Sequence, residues 1–169
     1  MARIRALHGD ITAQRADAVV NAANRAMRGG GGVDGAIHRV GGPDVLADCR
    51  RRFPAGLQTG NAGWTTAGNL PAQWVIHTVG PNWNRGERDP QLLTSCYRRI
   101  LETADELGAL TVAVPLVSAG SYGWPVDDAV RIAVETLTTT PSQVEEITLV
   151  AYTPGLHRTI ESRLHRSAA

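Results

Sequence analysis

The chain contains no lysine. All 17 of its basic residues are arginine, set against 16 acidic residues for a formal net charge of +1. Without lysine there is neither Schiff-base chemistry nor the phosphate-binding lysine of a P-loop. The near-neutral balance gives no bulk attraction to nucleic acid or to a membrane surface. Cysteine is scarce: Cys49 and Cys96 stand far apart with no CxxC partner. That spacing argues against a disulfide framework or a zinc site, so no metal is expected. Both fall in segments of helical pattern and read as plain core or surface thiols. No apolar run is long enough to span a bilayer, and the opening Met1-Ala2-Arg3-Ile4-Arg5-Ala6 lacks the apolar stretch of a signal peptide. The cytoplasm is therefore the expected compartment. Also missing are an internal repeat, a low-complexity tract, a GxGxxG after the first strand and a GxSxG. No serine is flanked by a plausible His–Asp pair, so a hydrolytic triad is not expected.

What is present is the composition of one globular domain. The chain has 169 residues, 43% hydrophobic and 20% charged, enough for a single domain over 1–169 with its own core. Apolar and polar residues alternate over 4–8, which predicts a strand. The run 18–20 predicts a short buried strand ending at Asn21. Positions 33–40 suit a helix stopped by Gly41-Gly42, with Pro43 opening a second that turns Val45, Leu46 and Cys49 inward. Strands are predicted over 62–67 and 74–79 around the turn Gly68-Asn69-Leu70-Pro71. The strongest helical period covers 91–107 and stops at Gly108. The continuous apolar, β-branched run 111–117 predicts a central strand. A helix is predicted from Pro125 through Leu137, a strand over 147–152 and a closing helix over 156–165. Strands alternating with helices imply an α/β fold with a mixed, largely parallel sheet covered on both faces.

Such sheets bind ligands at the carboxyl ends of their strands, and the unusual residues fall there. Four glycines, Gly29 to Gly32, run into the start of the helix that carries Asp34. Backbone N–H groups at a helix start favour an anion, and a carboxylate beside them is electrostatically awkward, a common mark of function. The loop Ser118-Ala119-Gly120-Ser121-Tyr122-Gly123 is a second glycine-bearing turn. Facing the first, it could complete a cradle for a diphosphate; alone, it is equally well a strand-to-helix turn. Asp10 either accepts from an exocyclic amine or bonds its own turn. Tyr152, at a strand end, either stacks on a base or packs at the rim. Asn21 and Asn24 either bond sugar hydroxyls or cap turns. His77 reads as a hydrogen-bonded structural histidine rather than a base.

Taken together, Gly9-Asp10-Ile11-Thr12, the block DAVVNAAN (17–24), GGGGVDGAIH (29–38), His77 to Pro81 and Ser118 to Pro125 resemble a macrodomain in order and spacing. The likeness is to the MacroD-type branch, which includes the bacterial O-acetyl-ADP-ribose deacetylases, and it covers about 4–164. The resemblance implies a three-layer α/β/α fold that binds ADP-ribose and needs no cofactor. It assigns Asp10 to the adenine amine with the Ile11 backbone beside it, and Tyr152 to the adenine face. The N–H groups of Gly31, Gly32 and Val33, facing those of Ser118, Ala119, Gly120, Ser121 and Tyr122, clamp the diphosphate. Asn21 is read as a ligand contact. Asn24 holds the distal ribose against Tyr122, and Asp34 is the main catalytic carboxylate. The implied partners are ADP-ribosylated proteins or O-acetyl-ADP-ribose, with no membrane, with nucleic acid only as a modified end, and with the chain a monomer. The implied reaction is hydrolysis of the ester joining ADP-ribose to an acidic side chain or to acetate. The alternatives are a non-catalytic reader of ADP-ribose, a phosphatase acting on ADP-ribose 1″-phosphate and, more weakly, an RNA-binding domain. One departure is Ala119, where many relatives carry threonine: the backbone donors remain but a hydroxyl is lost, with Ser121 as its nearest substitute.

Overall fold

A computed structural model describes residues 2–168. In chain order the elements are β1 (Arg3–His8), β2 (Ala18–Ala23), α1 (Gly32–Gly41), α2 (Pro43–Arg52), β3 (Ala62–Thr66) and β4 (Trp74–Val79), followed by α3 (Pro90–Leu107), β5 (Thr111–Pro115), α4 (Val126–Thr139), β6 (Glu146–Ala151) and α5 (Pro154–Ala168). Two single 3-10 turns, Ile11–Ala13 and Trp83–Arg85, sit in the loops after β1 and β4. The strands form one sheet in the order β1-β6-β5-β2-β4-β3. Every neighbouring pair is parallel except β3 with β4, so the mixed, largely parallel sheet is as expected.

The period of two along each strand sorts the core into two layers. Val20, Ile76, Val114 and Leu149 point to one face and pack with Leu93, Tyr97 and Ile100 of α3 and Ala133 of α4. Val19, Val75, Ala113 and Val150 point to the other and pack with Ile37 of α1 and with Ala67 and Leu70. Asn21 shares the parity of Val19, and His77 that of Val75. Both therefore face the α1 layer, and the β2–β4 register sets them side by side.

Most boundaries shift by one to three residues from the sequence expectation, and three of the differences have a clear cause. Strand β2 continues past Asn21 to Ala23 because it pairs along its whole length with β4, so Asn21 lies inside a strand rather than at its end. Strand β5 stops at Pro115, although Leu116 and Val117 extend the apolar run. Val117 leaves the sheet and gives its N–H to the Tyr97 hydroxyl of α3 at 2.9 Å. Pro125 caps α4 rather than starting it. Both cysteines are buried and free. No helix among the described residues is long and apolar enough to cross a membrane.

Candidate active site

The carboxyl ends of β1, β6, β5, β2 and β4 lie along one rim of the sheet, and the loops leaving them form the site. After β2, the chain turns through Asn24, whose side chain shapes the turn. Its Nδ2 donates to the Gly29 carbonyl (3.2 Å) and its Oδ1 accepts from the Met27 N–H (3.2 Å). Met27 adopts φ 59, a left-handed conformation uncommon outside glycine. The glycine run follows and enters α1 with Gly31 as a cap that offers no side-chain bond. Among the described residues, the N–H groups from Gly29 to Asp34 donate to no protein acceptor. A Cβ on Gly31 or Gly32 would meet nothing within 4 Å, so both face open space.

Asp34 lies in the first turn of α1 and is only 5% exposed. Its Oδ1 accepts from Asn21 Nδ2 at 2.8 Å and lies 3.4 Å from His38 Nε2, one helical turn on. Its Oδ2 points elsewhere. A Cβ on Gly30 would stand 3.1 Å from Asp34 Oδ2 and 3.3 Å from Asn24 Nδ2, so the carboxylate and the amide flank the same glycine. Only a residue without a side chain leaves that gap clear. The Asn24 and Asp34 of the sequence reading are thus brought together across Gly30 of the glycine run, and His38, to which that reading gave no role, joins them. The signal for His38 was present: a residue four after Asp34 shares its helix face.

Asn21 corrects the sequence reading. It is fully buried at 0% exposure, and its amide is committed to Asp34 and to His77 Nδ1 at 3.1 Å. A side chain sealed under α1 cannot reach a sugar hydroxyl. His77 is equally buried and also contacts Thr65 Oγ1 at 2.8 Å through Nε2. Burial, with His38 nearby, pushes its pKa down to about 3, so it is neutral. It is a buried, hydrogen-bonded histidine and no base at neutral pH.

The second loop leaves β5 beside β2. Trp124 closes it by donating its N–H to the Ser118 carbonyl at 2.9 Å, and Gly123 donates to the Gly120 carbonyl at 3.0 Å. The backbone N–H groups from Ser118 to Tyr122 donate to no protein acceptor among the described residues. Two runs of free donors thus emerge from adjacent strands. Ser118 has φ 68, and its buried Oγ has no partner. Such strain and such an orphan persist only where the surroundings impose them. Part of the cause is Gly80 at the end of β4, where any Cβ would run into Ser118 Oγ and Val117. Ala119 is half-buried against the α3–α4 core, and Ser121 is exposed. Tyr122 is half-buried; burial raises its phenol pKa, and Arg85, Asp34, Glu87 and Arg25 are the charges that reach it. The Asn84 amide and N–H hold this segment, donating to the Ser121 and Tyr122 carbonyls at 3.1 Å each.

At the far edge, Asp10 Oδ1 accepts from the N–H and hydroxyl of Thr12, at 2.9 and 2.7 Å. This is the turn role, and it leaves Oδ2 outside the turn. Ile11 is buried beneath it, and Tyr152, at the end of the neighbouring β6, is 80% exposed. No group of three or more potential metal ligands occurs among the described residues.

Comparison with known proteins gives a consistent result. The family model described as the macro domain matches residues 20–133. A macro domain-containing protein of Streptomyces coelicolor is 56% identical over 168 residues, covering 97% of this chain and 99% of its own. O-acetyl-ADP-ribose deacetylase 1 of Pantoea vagans is 48% identical over 140 residues, or 81% of this chain and 82% of that one. Among solved structures, a glycine-to-valine variant of the Oceanobacillus iheyensis macrodomain with ADPR superposes with a TM-score of 0.88 at 34% identity. It covers 96% of this chain and 92% of that chain. Other structures of the same protein carry an asparagine or an aspartate replaced by alanine.

Proposed function

The chain belongs to the macro domain family, in its MacroD-type branch, and from that premise we propose that it binds ADP-ribose along the rim and hydrolyses esters at the distal ribose. The observation that carries this reading is the placement of Asp34: a buried carboxylate at the end of one of two runs of unused backbone N–H groups that leave adjacent strands, one oxygen held and the other turned toward Asn24 across Gly30. Free amides at a helix start and in a facing loop suit a diphosphate. The Gly31, Gly32 and Val33 amides and those of Ser118 to Tyr122 are its two jaws. Asp10 Oδ2 receives the adenine amine beside the Ile11 backbone, and the exposed Tyr152 ring lies against the base. Asn24 and Tyr122 hold the distal ribose.

In the reaction, water adds to the ester, and the products are ADP-ribose and a free carboxylic acid. Asp34 Oδ2 orients that water or takes its proton, a contribution worth about 10²–10⁴-fold. The substrate's own phosphate oxygens help to orient it. Asn24 fixes the ribose for attack. In the Oceanobacillus protein, the varied asparagine and aspartate stand as far apart in the chain as Asn24 and Asp34 do here. The substrates are proteins mono-ADP-ribosylated on aspartate or glutamate, and O-acetyl-ADP-ribose.

A panel of ADP-ribosyl linkages tests this reading: carboxylate ester, acetate, arginine, serine and 1″-phosphate, each incubated with the purified protein and followed for released ADP-ribose. Turnover of the carboxylate and acetate esters is expected, with the arginine and serine linkages untouched. ADP-ribose binding without turnover of any linkage refutes the hydrolase and leaves a reader.

A further inference from the structure

Asp34 does not stand alone under α1. Its Oδ1 receives the Asn21 amide, the same amide nitrogen meets His77 Nδ1, and His77 Nε2 meets Thr65 Oγ1, which bonds the Thr66 carbonyl at 3.0 Å. The proton positions in this chain follow from chemistry alone. An ionised carboxylate only accepts, so the Asn21 side chain must turn its NH2 group to Asp34. The second hydrogen of that group then points at His77 Nδ1, which must accept. His77 therefore carries its proton on Nε2 and gives it to the Thr65 hydroxyl, which passes its own to the Thr66 carbonyl. Every donor in the run from strand β3 to helix α1 has an acceptor, and only one direction satisfies them all; Cys49 Sγ, 3.8 Å from His77 Nε2, is a second and more distant neighbour of the same N–H.

The arrangement leaves one atom unpaired. Asn21 Oδ1 is buried with no partner. A buried orphan acceptor is unfavourable, and apolar side chains would fill the same space between β2 and α1 without it. A polar relay that carries such an orphan and ends on a carboxylate has a purpose other than stability. The carboxylate it ends on is the one assigned to the water.

We propose that Asn21 and His77 are positioning residues for Asp34: the relay anchored on Thr65 holds Oδ1 and so fixes Oδ2 toward the Asn24–Gly30 gap. The inference rests on the hydrolase reading for its consequence and on the hydrogen-bond directions for its geometry. Neither residue touches substrate. Their effect falls on the orientation of Asp34 and so on kcat, not on ADP-ribose affinity, because the phosphate-binding amides belong to other residues.

Four proteins test this: wild type, Asn21→Ala, His77→Leu and His77→Asn. In the last, the asparagine Oδ1 takes the place of the accepting Nδ1. Turnover of O-acetyl-ADP-ribose, ADP-ribose affinity by calorimetry and thermal unfolding are measured on each. Asn21→Ala and His77→Leu are expected to lower kcat by about 10²-fold, the scale of a misplacement near 1 Å, with ADP-ribose Kd unchanged in the folded proteins. His77→Asn is expected to recover most of the loss seen in His77→Leu. Unchanged kcat in Asn21→Ala, equal loss in His77→Asn and His77→Leu, or a fall in kcat matched by a rise in Kd overturns the proposal. Long-range ¹H–¹⁵N spectra of the wild type provide a reading independent of turnover. At neutral pH, His77 is expected as the Nε2-protonated neutral tautomer; an Nδ1-protonated or doubly protonated ring overturns the relay. A wild type that binds ADP-ribose without cleaving any ester defeats the hydrolase reading, and the positioning role with it, while the spectra still report on the relay.

Discussion

His77 shows how strongly burial governs a single residue in this fold. The unfolded chain holds this imidazole at an ordinary pKa of 6.5, whereas in the folded protein the value falls to about 3. Between these limits the unfolded state binds more protons, so stability is lost as pH falls from 6.5, at up to about 1.4 kcal/mol per pH unit. His38, Asp34 and Asp48 are the charged groups that bear on it; His38 deepens the shift and the two carboxylates oppose it. Urea unfolding midpoints of the wild type are expected to fall between pH 6 and pH 4, and the His77→Asn protein is expected to lack most of that slope. Parallel curves for the two proteins would show that His77 does not carry it. The sequence already marked His77 as a hydrogen-bonded histidine and Asp34 as an awkwardly placed acid. It did not join them, because the join depends on the β2–β4 register, which brings residues 56 positions apart into contact. Asn21 was misread for the same reason: a short amide at a presumed strand end looks like a ligand contact until the strand is seen to run on beneath a helix.

At the scale of elements, the loop after β5 is held from outside itself. The Tyr97 hydroxyl of α3 accepts the Val117 N–H, Trp124 closes the turn onto Ser118, and the Trp124 indole donates to Asp128 of α4 at 2.9 Å. The free amides of Ser118 to Tyr122 keep their positions because both flanks are tied to helices. Tyr97→Phe leaves a buried N–H without an acceptor, a cost of about 1–3 kcal/mol. The expected result is lower thermal stability together with weaker ADP-ribose binding by calorimetry. Loss of stability with binding intact would mean that the anchor does not set the loop. Helices and strands were readable from their periods, and α3 in particular from its apolar stripe. The end of β5 was not, because Leu116 and Val117 are as apolar as the strand before them and leave it only to meet a tyrosine on a distant helix.

At the scale of the whole molecule, the sheet order brings the site together. Asp10 and Tyr152 leave adjacent strands at one edge, the two amide-bearing loops leave adjacent strands in the middle, and Gly80 leaves the next. On the proposed reading, an extended ligand laid along that rim would meet the base, diphosphate and ribose contacts in turn. Alternating strands and helices made the parallel sheet and its rim legible, but strand order arises from pairing between distant segments, which periodicity does not show. The proposed hydrolysis turns on one carboxylate, and the Asp34→Asn protein tests it without changing the shape of the site. The substitution keeps the size of the side chain and removes its ability to take a proton. With O-acetyl-ADP-ribose as substrate, kcat is expected to fall by about 10²–10⁴-fold while the ADP-ribose Kd stays close to that of the wild type. Wild-type turnover in the Asp34→Asn protein would contradict the account.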